Sequence, residues 1–225
     1  MFPLLTLVLA TANEGKLAEL TSLLHGLPVS IVNVRDVLGE DLAVVESGET
    51  FEQNAVRKAN AASAATRLLC VADDSGLEVE ALGGRPGVRS ARFAHERATD
   101  AENNAALLRE LEDVEEGARS ARFRCVLALV SPWQDQVYVV EGRCEGSIAR
   151  TPRGSGGFGY DPLFLVPEYN GRSMAELSEA EKGEVSHRGR AVRELRKRLI
   201  QLINQELNEV ERIVDPRPSG MAFGS

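Results

Sequence analysis

The sequence predicts an α/β protein: a mixed β-sheet with flanking helices, arranged as two lobes around a central cleft. Three observations predict it. An apolar strand pattern at the N-terminus runs into a capped amphipathic helix. Two long β-prone runs sit together in the middle of the chain. Capped helices lie on both sides of those runs. The order of strand–helix, helix–strand, strands and then helices fits a mixed sheet and leaves the strand order open.

Residues 4–10 (LLTLVLA) are apolar except for Thr6, the pattern of a buried strand. Asn13 caps the next helix, where Leu17, Leu20, Leu24 and Leu27 share one face. Thr50 and Gln53 have the spacing of a capping box and open an alanine-rich helix to about Thr66. Residues 68–72 form a buried strand that stops at Asp73-Asp74-Ser75-Gly76. Glycines and Pro86 make 82–94 a loop. A second capping box, Thr99 with Glu102, opens a helix to about Val114. The long β-prone runs are 119–131 and 136–150. The glycine-rich GSGGFGYDP follows, then a short strand at 162–166 and a short helix at 174–182. Ser186 caps a long last helix with Val192, Leu195, Leu199, Leu202 and Ile203 on its apolar side. One domain spans 1–208, and 209–225 is a flexible tail.

The chain has 225 residues, enough for a substantial core, and a net charge of −8. That charge argues against nonspecific binding to nucleic acid or an anionic membrane. A small anionic ligand held by local cations remains compatible with it. Cys70, Cys125 and Cys144 lack metal-ligand spacing and read as reduced thiols, which suits the cytoplasm. The start FPLLTLVLATA imitates a signal peptide, but no Lys or Arg precedes its short apolar run, so it reads as a strand.

Four places carry candidate chemistry. In TANEGK, a strand meets a helix N-terminus. Free N–H groups and the helix dipole there favour an anion, and Thr11, Asn13 and Lys16 add donors and charge. The same residues would also serve a plain capped helix. Asp73-Asp74-Ser75-Gly76 puts two carboxylates at the end of a buried strand, where they need a cation or hydrogen-bond donors. A hard cation such as Mg²⁺ takes such oxygens, and Glu46 is a further candidate ligand. The glycines of GSGGFGYDP let the backbone approach a ligand, and Phe158, Gly159, Tyr160 and Asp161 combine flat rings with a carboxylate, a set that suits a nucleobase. Lys182, His187 and Arg188 stand at the junction of two helices, and a cation in the first turn of a helix opposes the dipole.

Together these stretches resemble the inosine triphosphate pyrophosphatase family, the Ham1-like enzymes, in their bacterial form. The matching segments are LATANEGKLAEL, SGETFEQNAVRKA, VADDSGLEVEALGGRPGVRSARFA, GSGGFGYDPLFLVP and EKGEVSHRG, in family order over about 5–195. The resemblance implies a two-lobed mixed α/β fold and a homodimer. It implies Mg²⁺-dependent hydrolysis of non-standard purine nucleoside triphosphates (ITP, dITP, XTP) between the α- and β-phosphates. By motif, Thr11, Asn13 and Lys16 would hold phosphates. Asp74 would be the catalytic carboxylate, with Asp73 beside it. Glu46 and Asp74 would hold the metal, and Ser75 would touch substrate. Phe158 to Asp161 would form the base loop, and Lys182, His187 and Arg188 the remaining contacts. Many family members carry Glu where this chain has Gln53, a change a capping box tolerates. Donors near His187 and Arg188 would suit the O6 acceptor of hypoxanthine or xanthine and disfavour the amino group of adenine. Two other readings compete: a Maf-like nucleotide pyrophosphatase and a non-catalytic triphosphate sensor.

Overall fold

A computed structural model describes residues 5–214. Its strands are β1 (Leu5–Leu9), β2 (Val29–Asn33), β3 (Leu69–Val79), β4 (Ser120–Val130), β5 (Val137–Ile148), β6 (Phe164–Val166) and β7 (Arg172–Ser173). They form one seven-stranded sheet in the order β2-β1-β3-β4-β5-β6-β7. β1 pairs in parallel with β2 and β3, and every pairing from β3 onward is antiparallel. The sheet is therefore mixed, as the element order predicts.

The helices are α1 (Glu14–Leu24), α2 (Val34–Leu38), α3 (Phe51–Thr66), α4 (Asp100–Glu110), α5 (Glu179–Val185) and α6 (His187–Val214). Asn13 caps α1 by accepting from the Lys16 N–H at 2.9 Å. Thr50 caps α3, but Gln53 does not close the expected box. Its Oε1 accepts from the Glu49 N–H, one residue early. The Thr99–Glu102 box is complete, and α4 ends at Glu110, short of the expected Val114. The single short helix expected at 174–182 is split into a 3-10 turn, Met174–Glu176, and α5. Ser178 separates them because it is extended and caps α5. The loop expected at 82–94 contains a 3-10 turn, Gly87–Arg92. β2, α2 and β7 are short and lie toward the sheet edges, and the apolar pattern alone does not announce them. α6 runs to Val214, past the boundary expected at 208, and the rest of the expected tail lies outside the described residues. Among the described residues, no helix is long and apolar enough to cross a membrane.

The largest departure concerns β3. The strand does not stop at Asp73. It continues through Asp73, Asp74, Ser75 and Gly76, which pair with Leu127, Val126, Cys125 and Arg124 of β4. Asp is a poor strand former, but ladder pairing and local cations override that preference. The polar stretch also divides the core. Before it, Leu69 and Val71 pack under α1 and α6, while Cys70 and Ala72 pack under α3. After it, Leu77 and Val79 join a separate apolar cluster with Phe123, Ile148 and Phe164. The candidate residues lie at the seam between these cores.

Candidate active site

Side chains alternate along a strand, so Asp73 and Asp74 face opposite sides of the sheet. Asp73 points toward α1 and α6. Its Oδ1 accepts from Lys16 Nζ at 2.5 Å and Ser75 Oγ at 2.8 Å. Its Oδ2 accepts from Arg188 Nε and Cys125 Sγ, both at 3.1 Å. Burial works against the ionised form. Lys16 and Arg188 overcome it and hold the Asp73 carboxyl well below the usual carboxylate range. Four donors saturate Asp73, so it acts as the hub that fixes Lys16 and Arg188. Asp73 and Asp74, adjacent in sequence, therefore have separate sets of partners on the two faces of the sheet.

Asp74 points toward α3. Its Oδ1 accepts from Lys58 Nζ at 2.8 Å, and its Oδ2 accepts from Asn54 Nδ2 at 3.2 Å. The same Lys58 ammonium reaches Glu46 Oε1 at 2.8 Å. Arg92 approaches the other Glu46 oxygen at 3.4 Å. Burial raises the Asp74 carboxyl above its ordinary value despite Lys58 and Lys16. Glu46 shifts down: its burial is outweighed chiefly by Lys58. Two carboxylates joined by one ammonium give the oxygen donors that a Mg²⁺-like ion takes alongside water and phosphate oxygens. Among the described residues, no cluster of three or more metal-ligating side chains occurs.

On the Asp73 side, a cleft opens between α1, the glycine-rich loop and the start of α6. Lys16, Ser75, Phe158, Lys182, His187 and Arg188 line it. Arg188 is the tie. It donates to Asp73, to Ser75 Oγ at 2.9 Å and to Glu19, and it is 2% exposed. Lys182 bridges Glu19 at 2.8 Å and Asp161 at 2.7 Å. The Phe158 ring lies against Gly15, where a Cβ would come within 2.6 Å of the ring. Arg188 and Lys182 stand 5.6 and 5.9 Å from the Phe158 centroid, within cation–π reach.

Asp161 accepts from the Phe158 N–H at 3.2 Å and so sets the loop. Gly157 has φ +73° and leaves no room for a Cβ beside Asp161, so the loop needs glycine there. Asp100 accepts from the Gly159 N–H at 2.7 Å, which pins the loop to α4. Tyr160 also borders the cleft, but most of its ring is packed inside. It is a core residue, 4% exposed, whose hydroxyl donates to Ser90 O. Thr11 accepts from the Asn13 N–H at 3.2 Å and lies outside the cleft lining.

His187 stacks on Phe123 at 4.7 Å between centroids, and its Nδ1 has no protein partner. Burial, with Arg188 beside it, keeps the imidazole well below its ordinary pKa and therefore neutral. Backbone contact sets its position. A Cβ on Gly142 would come within 2.1 Å of His187 O, and one on Gly189 within 2.1 Å of Gly183 O.

Sequence reasoning missed Glu19, Asn54, Lys58 and Arg92. A signal for two of them was present. Asn54 and Lys58 are one helical turn apart beside the buried stripe of Ala55, Ala59 and Ala62, where a lysine needs a partner. Lys16, Lys58, Arg92, Lys182 and Arg188 face Glu19, Glu46, Asp73, Asp74 and Asp161, one carboxylate for each cation.

Comparison with known proteins gives a consistent result. A family model described as the Ham1 family matches residues 7–198. A dITP/XTP pyrophosphatase from Geobacter sulfurreducens is 51% identical over 186 residues, covering 83% of this chain and 92% of the relative. One from Desulforamulus reducens is 50% identical over 202 residues, covering 89% and 99%. The structure of a HAM1 protein from Coxiella burnetii superposes with a TM-score of 0.79 at 43% identity, covering 88% of this chain and all of that one (100%).

Proposed function

The chain belongs to the Ham1 family, and we propose that it hydrolyses the non-standard purine nucleoside triphosphates dITP, ITP and XTP to the monophosphate and pyrophosphate. One observation carries this reading. The seam at 73–76 joins an apolar, cation-rimmed cleft on one side of the sheet to a carboxylate pair on the other. A planar base and a metal-bound triphosphate need these two environments side by side.

The base would enter the cleft against Phe158, beneath Lys182 and Arg188. Neutral His187 offers a buried ring nitrogen without a protein partner. With the buried guanidinium of Arg188, it would read the O6 edge of hypoxanthine or xanthine, while adenine would bring a donor to a donor. Lys16 and the N-terminus of α1 would receive phosphate oxygens. Glu46 and Asp74 would hold Mg²⁺, which supplies charge neutralisation and a polarised phosphorus. Asp74 would accept the proton of the attacking water, and burial shifts its carboxyl in the direction that favours proton uptake. Lys16 would stabilise charge developing on the leaving pyrophosphate. The homodimer and the cytoplasmic location expected from the sequence belong to the same proposal.

The test is pyrophosphate release from ITP, XTP, dITP, GTP, ATP and dTTP, with and without Mg²⁺. Mg²⁺-dependent release from the first three, and little from the rest, is the expected outcome. Release of orthophosphate would move cleavage to the terminal phosphate. Binding without any release would leave a sensor. Asp74→Asn should abolish release while the protein stays folded, and near-normal turnover in that variant would remove Asp74 from its role.

A further inference from the structure

Lys58 has no part in the sequence-derived site, yet its ammonium lies between the two acids read as metal ligands. Its Nζ bridges Asp74 Oδ1 and Glu46 Oε1, each at 2.8 Å. The side chain is 13% exposed, so water screens the bridge weakly. Arg92 adds a second cation to Glu46 at 3.4 Å. Asn54 holds the remaining Asp74 oxygen and is itself fixed by the Gly48 N–H at 2.8 Å. The pair is therefore already neutralised by protein cations. A divalent ion approaching the nucleotide-free site would meet an ammonium rather than a surplus of negative charge.

We propose that Lys58 is the resident counter-ion of the Glu46–Asp74 pair, and that a divalent cation reaches these carboxylates only together with a nucleoside triphosphate. The proposal rests on the reading of Glu46 and Asp74 as the metal-holding acids. The triphosphate brings the excess negative charge that the resting site lacks. It accepts the Lys58 ammonium at a phosphate oxygen and frees carboxylate oxygens for the metal. The four-carbon stem of lysine permits that swing without movement of α3. The enzyme would thus stay free of metal until substrate arrives.

The experiment reads metal binding directly, using the electron paramagnetic resonance signal of free Mn²⁺. The full-length protein is titrated alone and with a non-hydrolysable α,β-imido analogue of ITP, and the analogue's own Mn²⁺ uptake is measured separately and subtracted. The wild-type protein is expected to take up Mn²⁺ at least about tenfold more tightly with the analogue than without it. Lys58→Met and Lys58→Gln should each tighten Mn²⁺ binding to the nucleotide-free protein by about tenfold, because a positive charge next to the ion is gone. Asp74→Asn in either background should remove the gain. Equal Mn²⁺ affinity of the wild-type protein with and without the analogue would overturn the proposal, with no need for a variant. So would folded Lys58 variants that bind Mn²⁺ no better than the wild type. If Mn²⁺ fails to bind even with the analogue present, the assignment of Glu46 and Asp74 as metal acids falls, and the proposal falls with it.

Discussion

Arg119 and Arg188 are both about 2% exposed and are the two bulkiest fully buried side chains among the described residues, yet they are satisfied in opposite ways. Arg119 stands at the start of β4 and meets no carboxylate. Its guanidinium donates to four backbone carbonyls: Leu111, Val114, Ile148 and Ala149. It staples the end of α4 to the end of β5. Arg188 meets two carboxylates, Asp73 and Glu19, and one hydroxyl, Ser75, at the wall of an open cleft. Carbonyls are fixed dipoles that a ligand does not displace, so the first arrangement serves stability. Carboxylates hold a full positive charge in place and keep it oriented, so the second suits recognition of an anion or a carbonyl oxygen. Burial of a charge therefore does not reveal its purpose; the partner type does.

The comparison can be broken most sharply at Arg188. Arg188→Met should lower kcat/KM for ITP by about 10³-fold while the protein remains folded by circular dichroism. Near-wild-type turnover would detach Arg188 from ligand recognition. Arg119→Met should do the reverse. Urea unfolding should show a loss of at least about 1–3 kcal/mol, because several buried carbonyls lose their donor together. The kcat of the folded protein should stay within about twofold of wild type, as expected for a change remote from the site. A catalytic defect without destabilisation would put Arg119 on the wrong side of the comparison.

Phe158→Ala sharpens the Arg188 end. It should raise KM by about 5- to 100-fold, and equally for ITP, XTP and dITP, since stacking ignores the base edge. A loss confined to one base would contradict a stacking role.

The smallest effect concerns His187, the neighbour of Arg188. Its imidazole is shifted well below its ordinary value in the folded protein. Below pH 6.5 the unfolded chain therefore takes up a proton that the folded chain refuses, and stability falls on acidification. The contribution is complete above that pH and drains at up to about 1.4 kcal/mol per pH unit below it. His187→Phe, which keeps a ring against Phe123, should flatten this part of a pH series of urea unfolding curves. An unchanged slope would show that His187 is protonated or reached by water.

Much of this was legible in the sequence, for reasons that differ by region. Asn13, Thr50 and Thr99 announce helix starts because capping is a local interaction. The long β-prone runs announce β4 and β5 for a similar reason. The continuation of β3 through Asp73 and Asp74 is not local. It depends on Lys16, Arg188 and Lys58, which arrive from α1, α6 and α3. Glu19 was invisible because its partners, Lys182 and Arg188, are more than 160 residues away. Tyr160 and Phe158 share one motif and one cleft, and only the fold shows that the Tyr160 hydroxyl is tied to Ser90 O. Arg119 carried no signal at all, since its acceptors are backbone groups that any sequence supplies.

The glycines behind His187 have a consequence for how this pocket can be re-engineered. Gly142 and Gly189 bring the first turn of α6 into backbone contact with β5 and α5, at distances where even a methyl group collides. Side-chain repacking cannot then slide that turn inward or outward to fit a larger or smaller base. A library aimed at altered base preference would gain little from varying the sheet beneath it. Its productive position should lie on the opposite wall, at Phe158, where a side chain rather than backbone shapes the cleft.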